Sequence, residues 1–141
     1  MTLSTTTHLN FHGDARAALE FYGRVFDGTV STTTYAQVGM PAEAPGAEKV
    51  VFGILVAADG FRLMAYDVPR ETRGAAAVAG STRRENGATI TDRAFFVSLQ
   101  GDTLDEVSAR WDALADGATV IEPLAARRGA PASACSRTAS V

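Results

Sequence analysis
"NFHGDARAALEFY" (residues 10–22) and "SLQGDTLDEVSARW" (residues 98–111) are two statements of one pattern. Each carries a strand-like stretch into Gly-Asp and then into a helix-like stretch. In the first, "TTTHLNF" is β-prone, and Asp14 is placed to accept hydrogen bonds from the open N–H groups of a first helical turn. Ala15, Ala18, Leu19, Tyr22, Val25 and Phe26 then share one face at helical spacing. In the second, "RAFFVSLQ" (93–100) reads as a strand. Thr103 and Glu106 fit a capping box, and Leu104, Val107, Trp111 and Leu114 form the apolar stripe. Asp27-Gly28 and Asp116-Gly117 close the two helices. The Gly-Asp pairs lie 88 residues apart and the Asp-Gly pairs 89, so the period holds across a whole strand–helix–strand unit.

Further strands follow the first helix. "GTVSTTTYAQV" (28–38) is rich in β-branched residues. "EKVVFGILVAADG" (48–60) enters a turn at Asp59-Gly60, and "FRLMAYD" (61–67) is its hairpin partner. A Gly- and Pro-bearing loop occupies 39–47. The first copy is therefore β-α-β-β-β. One helix covers one face of such a sheet and leaves the other open, so two copies side by side would form a curved mixed sheet with helices outside and a central cleft. The fold class expected is α+β, with paired βαβββ modules. Module one spans 5–67, an irregular connection 68–91, module two 92–125, and an aberrant tail 126–141. The connection carries four arginines and reads as a solvated linker with at most a short helical turn at 74–79.

Composition narrows the functional classes. The 141 residues suit a single domain of two halves, with 46% hydrophobic and 21% charged residues as in ordinary globular proteins. A net charge of −3 gives no footprint for nucleic acid or an anionic membrane. No apolar run is long enough to span a bilayer, and "MTLSTTTHL" lacks the pattern of a signal peptide. A single cysteine, Cys135, excludes an internal disulfide framework and a cysteine-based zinc site. The chain is expected to be cytoplasmic.

With the repeat and the strand order in hand, the chain resembles the vicinal oxygen chelate superfamily, which includes glyoxalases, extradiol dioxygenases and bleomycin-resistance proteins. The likeness is to its PhnB-like branch, and it is carried by "HLNFHGDARAALEFYGRVFDG", "KVVFGILVAADGFRLMAYD" and "FFVSLQGDTLDEVSARWDALADGATVIEPLA". The resemblance implies a small-molecule ligand in the cleft and a homodimer. It also raises a divalent metal, held in metal-dependent relatives by His and Glu on the first and third strands of each module.

The residues do not favour that metal. His8, Asn10 and His12 alternate onto one strand face, but His8 and His12 would lie roughly 13 Å apart, too far to share one ion. Where PhnB-like relatives carry a "HAEL"-like stretch, this chain has "FGIL", with Phe52 for the His and Ile54 for the Glu. Matching Gly13-Asp14 to the turn of a metal-dependent relative puts Thr7 at the ligand position. No cofactor is therefore expected. No serine sits in a nucleophile elbow and no glycine loop cradles a phosphate. Tyr22 and Trp111 belong to helical core faces. Asp67 and Glu122 are strand-end carboxylates, read mainly as turn formers. The candidate ligand-binding residues are His8, Asn10, His12, Phe52, Ile54, Tyr66, Asp67 and Phe96. They suggest an apolar cleft for an aromatic or aliphatic molecule. The expected function is binding of such a molecule. The alternative is a metal-dependent lyase, isomerase or dioxygenase of the glyoxalase type.

The tail breaks the pattern. "ARRGAPASACSRTASV" (126–141) has one large apolar residue and no periodicity. Relatives in this branch continue after "EPLA" with a stretch like "SAWSAGFGMLTDRFGV.W". Pairing the third base of each codon with the first two of the next, from Ala126 onward, lets residues 127–141 be reread as SAWSAGFGMLTDRFG. Only wobble bases are free in that rereading. A one-base deletion near codon 126 accounts for it, and the tail is expected not to form the closing strands of module two.

Overall fold
Along Val50–Ala57 burial alternates: Leu55 and Ala57 are buried while Phe52 and Val56 are exposed. That strand is β3, an inner strand of a sheet with one face covered and the other, among the described residues of its unit, uncovered. The structure is a computed structural model, and it describes residues 5–69, 82–86, 88–91, 98–99, 101–120, 124 and 139–140. The chain divides into two units, Met1–Ala75 and Ala76–Val141.

In the first unit the order is β1 (Thr7–Phe11), α1 (Ala15–Val25), β2 (Gly28–Thr34), a single 3-10 turn (Ala36–Val38), β3, and β4 (Arg62–Asp67). The four strands form one curved mixed sheet in the order β1-β4-β3-β2. β1 runs parallel to β4, and the other two pairings are antiparallel. This is the β-α-β-β-β order expected from the sequence. The β3–β4 turn forms where Asp59-Gly60 places it. The Asp59 carboxylate accepts from the Phe61 N–H at 2.9 Å, and Gly60 supplies a φ of 91°.

Helix α1 lies on one face of this sheet. Its buried residues Ala15, Leu19 and Val25 follow the predicted stripe, and Leu19 meets Leu55, Leu63, Val50 and Ala65 in the core. Gly53 makes that approach close: a Cβ there would run into the Leu19 side chain and come within 2.9 Å of the Ala65 carbonyl oxygen.

One local expectation changes. Asp14 occupies the cap position of α1 but makes no side-chain capping bond. The Asp67 carboxylate does that work from the end of β4. Its Oδ1 accepts from the Gly13 N–H (2.7 Å) and the Ala15 N–H (3.1 Å), and its Oδ2 accepts from the Val50 N–H (2.9 Å). Three backbone donors around one carboxylate satisfy a charge that is 1% exposed.

The second unit holds a hairpin, β5 (Thr82–Glu85) with β6 (Ala88–Thr91), then α2 (Leu104–Ala115), and a short ribbon of β7 (Thr119–Val120) with β8 (Ala139–Ser140). The hairpin falls within the connection expected to be irregular. Glu85 pairs with Ala88, and Asn86, which follows β5, takes a φ of 49°. Asn-Gly is a strong hairpin signal because both positions tolerate positive φ. α2 begins as expected. Thr103 Oγ1 accepts from the Glu106 N–H at 3.3 Å, and Glu106 Oε2 accepts from the Thr103 N–H at 3.1 Å. Val107 is buried, but Leu104 is exposed, so the predicted stripe is met only in part.

Of the tail, Ala139–Ser140 is described, and it forms a two-residue ribbon with β7. Thr119 pairs with Ser140 and Val120 with Ala139. Ladder bonds are made by the backbone, so small side chains do not prevent two rungs from forming. The expected strand 93–100 lies largely outside the described residues, as do 125–138.

Candidate functional site
The uncovered face of the first sheet brings together most of the predicted residues, and strand parity decides which. Leu9 and Phe11 of β1 pack toward the core, which turns His8 and Asn10 the other way. On β4, Leu63, Ala65 and Asp67 are buried beneath α1, which turns Arg62, Met64 and Tyr66 outward. On β3, Phe52, Ile54 and Val56 share that outward side.

Register sets them in rows. Met64 pairs with His8 on one side and Ile54 on the other, and Ile54 pairs with Ser31. The row toward the β3–β4 turn holds Arg62, Val56 and Thr29. Asn10 pairs with Tyr66, and Phe52 with Thr33. The centre is thus an apolar strip two strands wide, with Phe52 45% and Val56 36% exposed. His8 and Asn10 border it on one side and the hydroxyls of β2 on the other. The His8 and Tyr66 rings meet edge to face with centroids 5.2 Å apart.

Three predicted residues, and the strand-end Glu122, stand apart from this group. Asp67 is on the helix side, committed to three backbone N–H groups. His12 lies beyond the end of β1 and is exposed. Phe96 and Glu122 lie outside the described residues. Arg62, Met64 and Val56 belong to the face and were not among the candidates, although each shares parity with a neighbour that was.

Behind the face, the Tyr35 hydroxyl donates to the Asp67 backbone carbonyl at 2.9 Å. Desolvation first, and then the charges of Tyr66 and Asp67, push the Tyr35 phenol above its ordinary pKa. Burial alone does the same for Tyr22 beneath the sheet.

The donors on the face do not fit a divalent ion. His8 is flanked by Met64 and Tyr66, and Ile54 and Phe52 offer no ligand atom. Among the described residues no three His, Cys, Asp or Glu side chains converge. Among the described residues no helix is long and apolar enough to cross a membrane.

Solved structures share this architecture. Protein PA1353 from Pseudomonas aeruginosa superposes with a TM-score of 0.63 at 24% identity, over 92% of this chain and 85% of that one. The PhnB protein from Bacillus cereus gives 0.57 at 18% identity, over 92% and 86%. No curated protein matches the chain. The model of the Glyoxalase/Bleomycin resistance protein/Dioxygenase superfamily matches residues 7–131, and the chain belongs to that superfamily.

Proposed function
We propose that the chain binds a small apolar or aromatic molecule on the uncovered face of the β1-β4-β3-β2 sheet. The observation that carries this reading is the apolar strip of exposed Phe52 and Val56 and half-buried Ile54 and Met64, bordered by His8, Asn10 and Tyr66. An apolar strip rimmed by a few hydrogen-bonding groups is the usual lining of a small-molecule site. A metal-dependent lyase, isomerase or dioxygenase would need ligands where Phe52 and Ile54 stand, so binding without a resident metal is the better supported reading. The site residues proposed are His8, Asn10, Phe52, Ile54 and Tyr66.

The test is a titration with 2-naphthol followed by backbone amide NMR shifts. Shifts are expected at His8, Ile54, Met64 and Tyr66, and Ile54→Glu should abolish them. Shifts confined to the α1 side of the sheet, or none at all, overturn the reading.

We also infer a cytoplasmic homodimer. Among the described residues β1 and β2 are the edges of their sheet, and unpaired edges invite association. A sedimentation mass of one chain at micromolar concentration overturns the dimer. The tail 126–141 is read as a frame-displaced version of the segment that relatives carry.

A further inference from the structure
We propose that the ligand of this face is a small organic anion, an aromatic or aliphatic carboxylate whose charged group sits at Arg62. The proposal rests on the binding reading above and narrows it.

Arg62 pairs with Val56, one row from the Ile54–Met64 pair. Adjacent rows on one strand face are roughly 7 Å apart, so a ring lying on Ile54 and Met64 can carry a carboxylate within reach of the guanidinium. Among the described residues, Arg62 has no ion pair or side-chain hydrogen bond to occupy it. The hairpin's own carboxylate, Asp59, is turned to the Phe61 N–H.

The rest of the face is as informative for its charge. Its polar groups on β1 and β2 are His8, Asn10 and the hydroxyls of Thr29, Ser31 and Thr33, all of which offer donors. None of the described residues on this face is a carboxylate. Asp67, next to Tyr66 at the end of β4, faces the other way. Among the described residues of this face the one formal charge a cationic ligand would meet is that of Arg62, and like charges repel. A carboxylate meets a planar two-pronged donor suited to it.

Three probes sharing one ring decide the matter: 1-naphthoate, 1-naphthylmethanol and 1-naphthylmethylammonium, each titrated into the full chain by calorimetry. The naphthoate should bind about three- to tenfold tighter than the alcohol, and the ammonium more weakly than either. Arg62→Gln should erase the naphthoate's advantage and leave the alcohol unchanged, and raised salt should shrink that advantage. Equal binding of naphthoate and alcohol, tighter binding of the ammonium, or an advantage that survives Arg62→Gln overturns the proposal and leaves the binding face standing. Failure of all three to bind overturns the face itself.

Discussion

The carboxylate of Asp67 caps the helix that starts at Ala15, 52 positions earlier in the chain, at 3.1 Å. The same group holds Gly13 and Val50, so one side chain joins β4, the β1–α1 turn and the start of β3. Removing one oxygen leaves a buried N–H without its acceptor, at about 1–3 kcal/mol for each such donor. Asp67→Asn should therefore lower the unfolding free energy by about 2–4 kcal/mol. Asp14→Ala, at the position the local sequence marks as the cap, should cost less. Urea unfolding of the two variants gives the comparison, and a larger loss for Asp14→Ala would reverse the assignment.

Gly53 should resist even the smallest side chain. In most strands Gly→Ala is neutral or helpful. Here the added methyl meets Leu19 and the Ala65 carbonyl, and overpacking of this kind costs about 1–3 kcal/mol. Gly60→Ala provides a contrast, because nothing lies near its Cβ and its cost comes from a φ of 91° alone. Thermal unfolding should show Gly53→Ala relieved by a compensating Leu19→Ala and Gly60→Ala not relieved.

Alkaline pH should loosen the first unit through Tyr35. Its folded pKa lies above the unfolded value near 10. In that window the folded state binds the extra proton, so stability falls as pH rises. It is fully present below pH 10 and is lost on climbing through the folded pKa. Tyr35→Phe loses the bond to the Asp67 carbonyl, about 0.5–1.5 kcal/mol at neutral pH, and should flatten the alkaline slope. An unchanged slope would show that another group carries it.

Restoring the reading frame after codon 125 should raise the unfolding midpoint. The displaced segment would bring Trp, Phe, Met and Leu residues, each worth about 1.5–3 kcal/mol when buried. Resequencing the gene around codon 126 gives the independent check. A restored chain no more stable than the present one would argue for the tail as it stands.

The first unit was legible because its signals are local. Asp59-Gly60 between two apolar stretches marked β3, β4 and their turn, and the Ala15–Phe26 stripe marked α1. Parity also put His8, Asn10 and His12 on one face, of which His8 and Asn10 lie within β1, while Phe52 and Ile54 came from the family resemblance. The same parity argues against grouping Asp67 with Tyr66, since adjacent strand residues point to opposite faces. It argues for Arg62, which shares Tyr66's side. The role of Asp67 was hidden because its partners lie 17 to 54 positions away. Asn86-Gly87 was a readable hairpin signal, obscured by the arginine-rich context around it.

The parallel pairing of β1 with β4 has a consequence for biosynthesis. β1 is an edge strand whose sole sheet neighbour among the described residues is β4, and Thr7 faces Leu63 across that seam. As the chain leaves the ribosome, β2 and β3 can zip into a hairpin while β1 still has nothing to pair with. The N-terminal segment must wait until Asp67 has emerged from the exit tunnel. Only then do the seam and the carboxylate clasp over Gly13 and Ala15 close together. The first residues made are thus among the last to be fixed in place, and a pause in translation before codon 67 would leave them open to proteases and to other nascent strands.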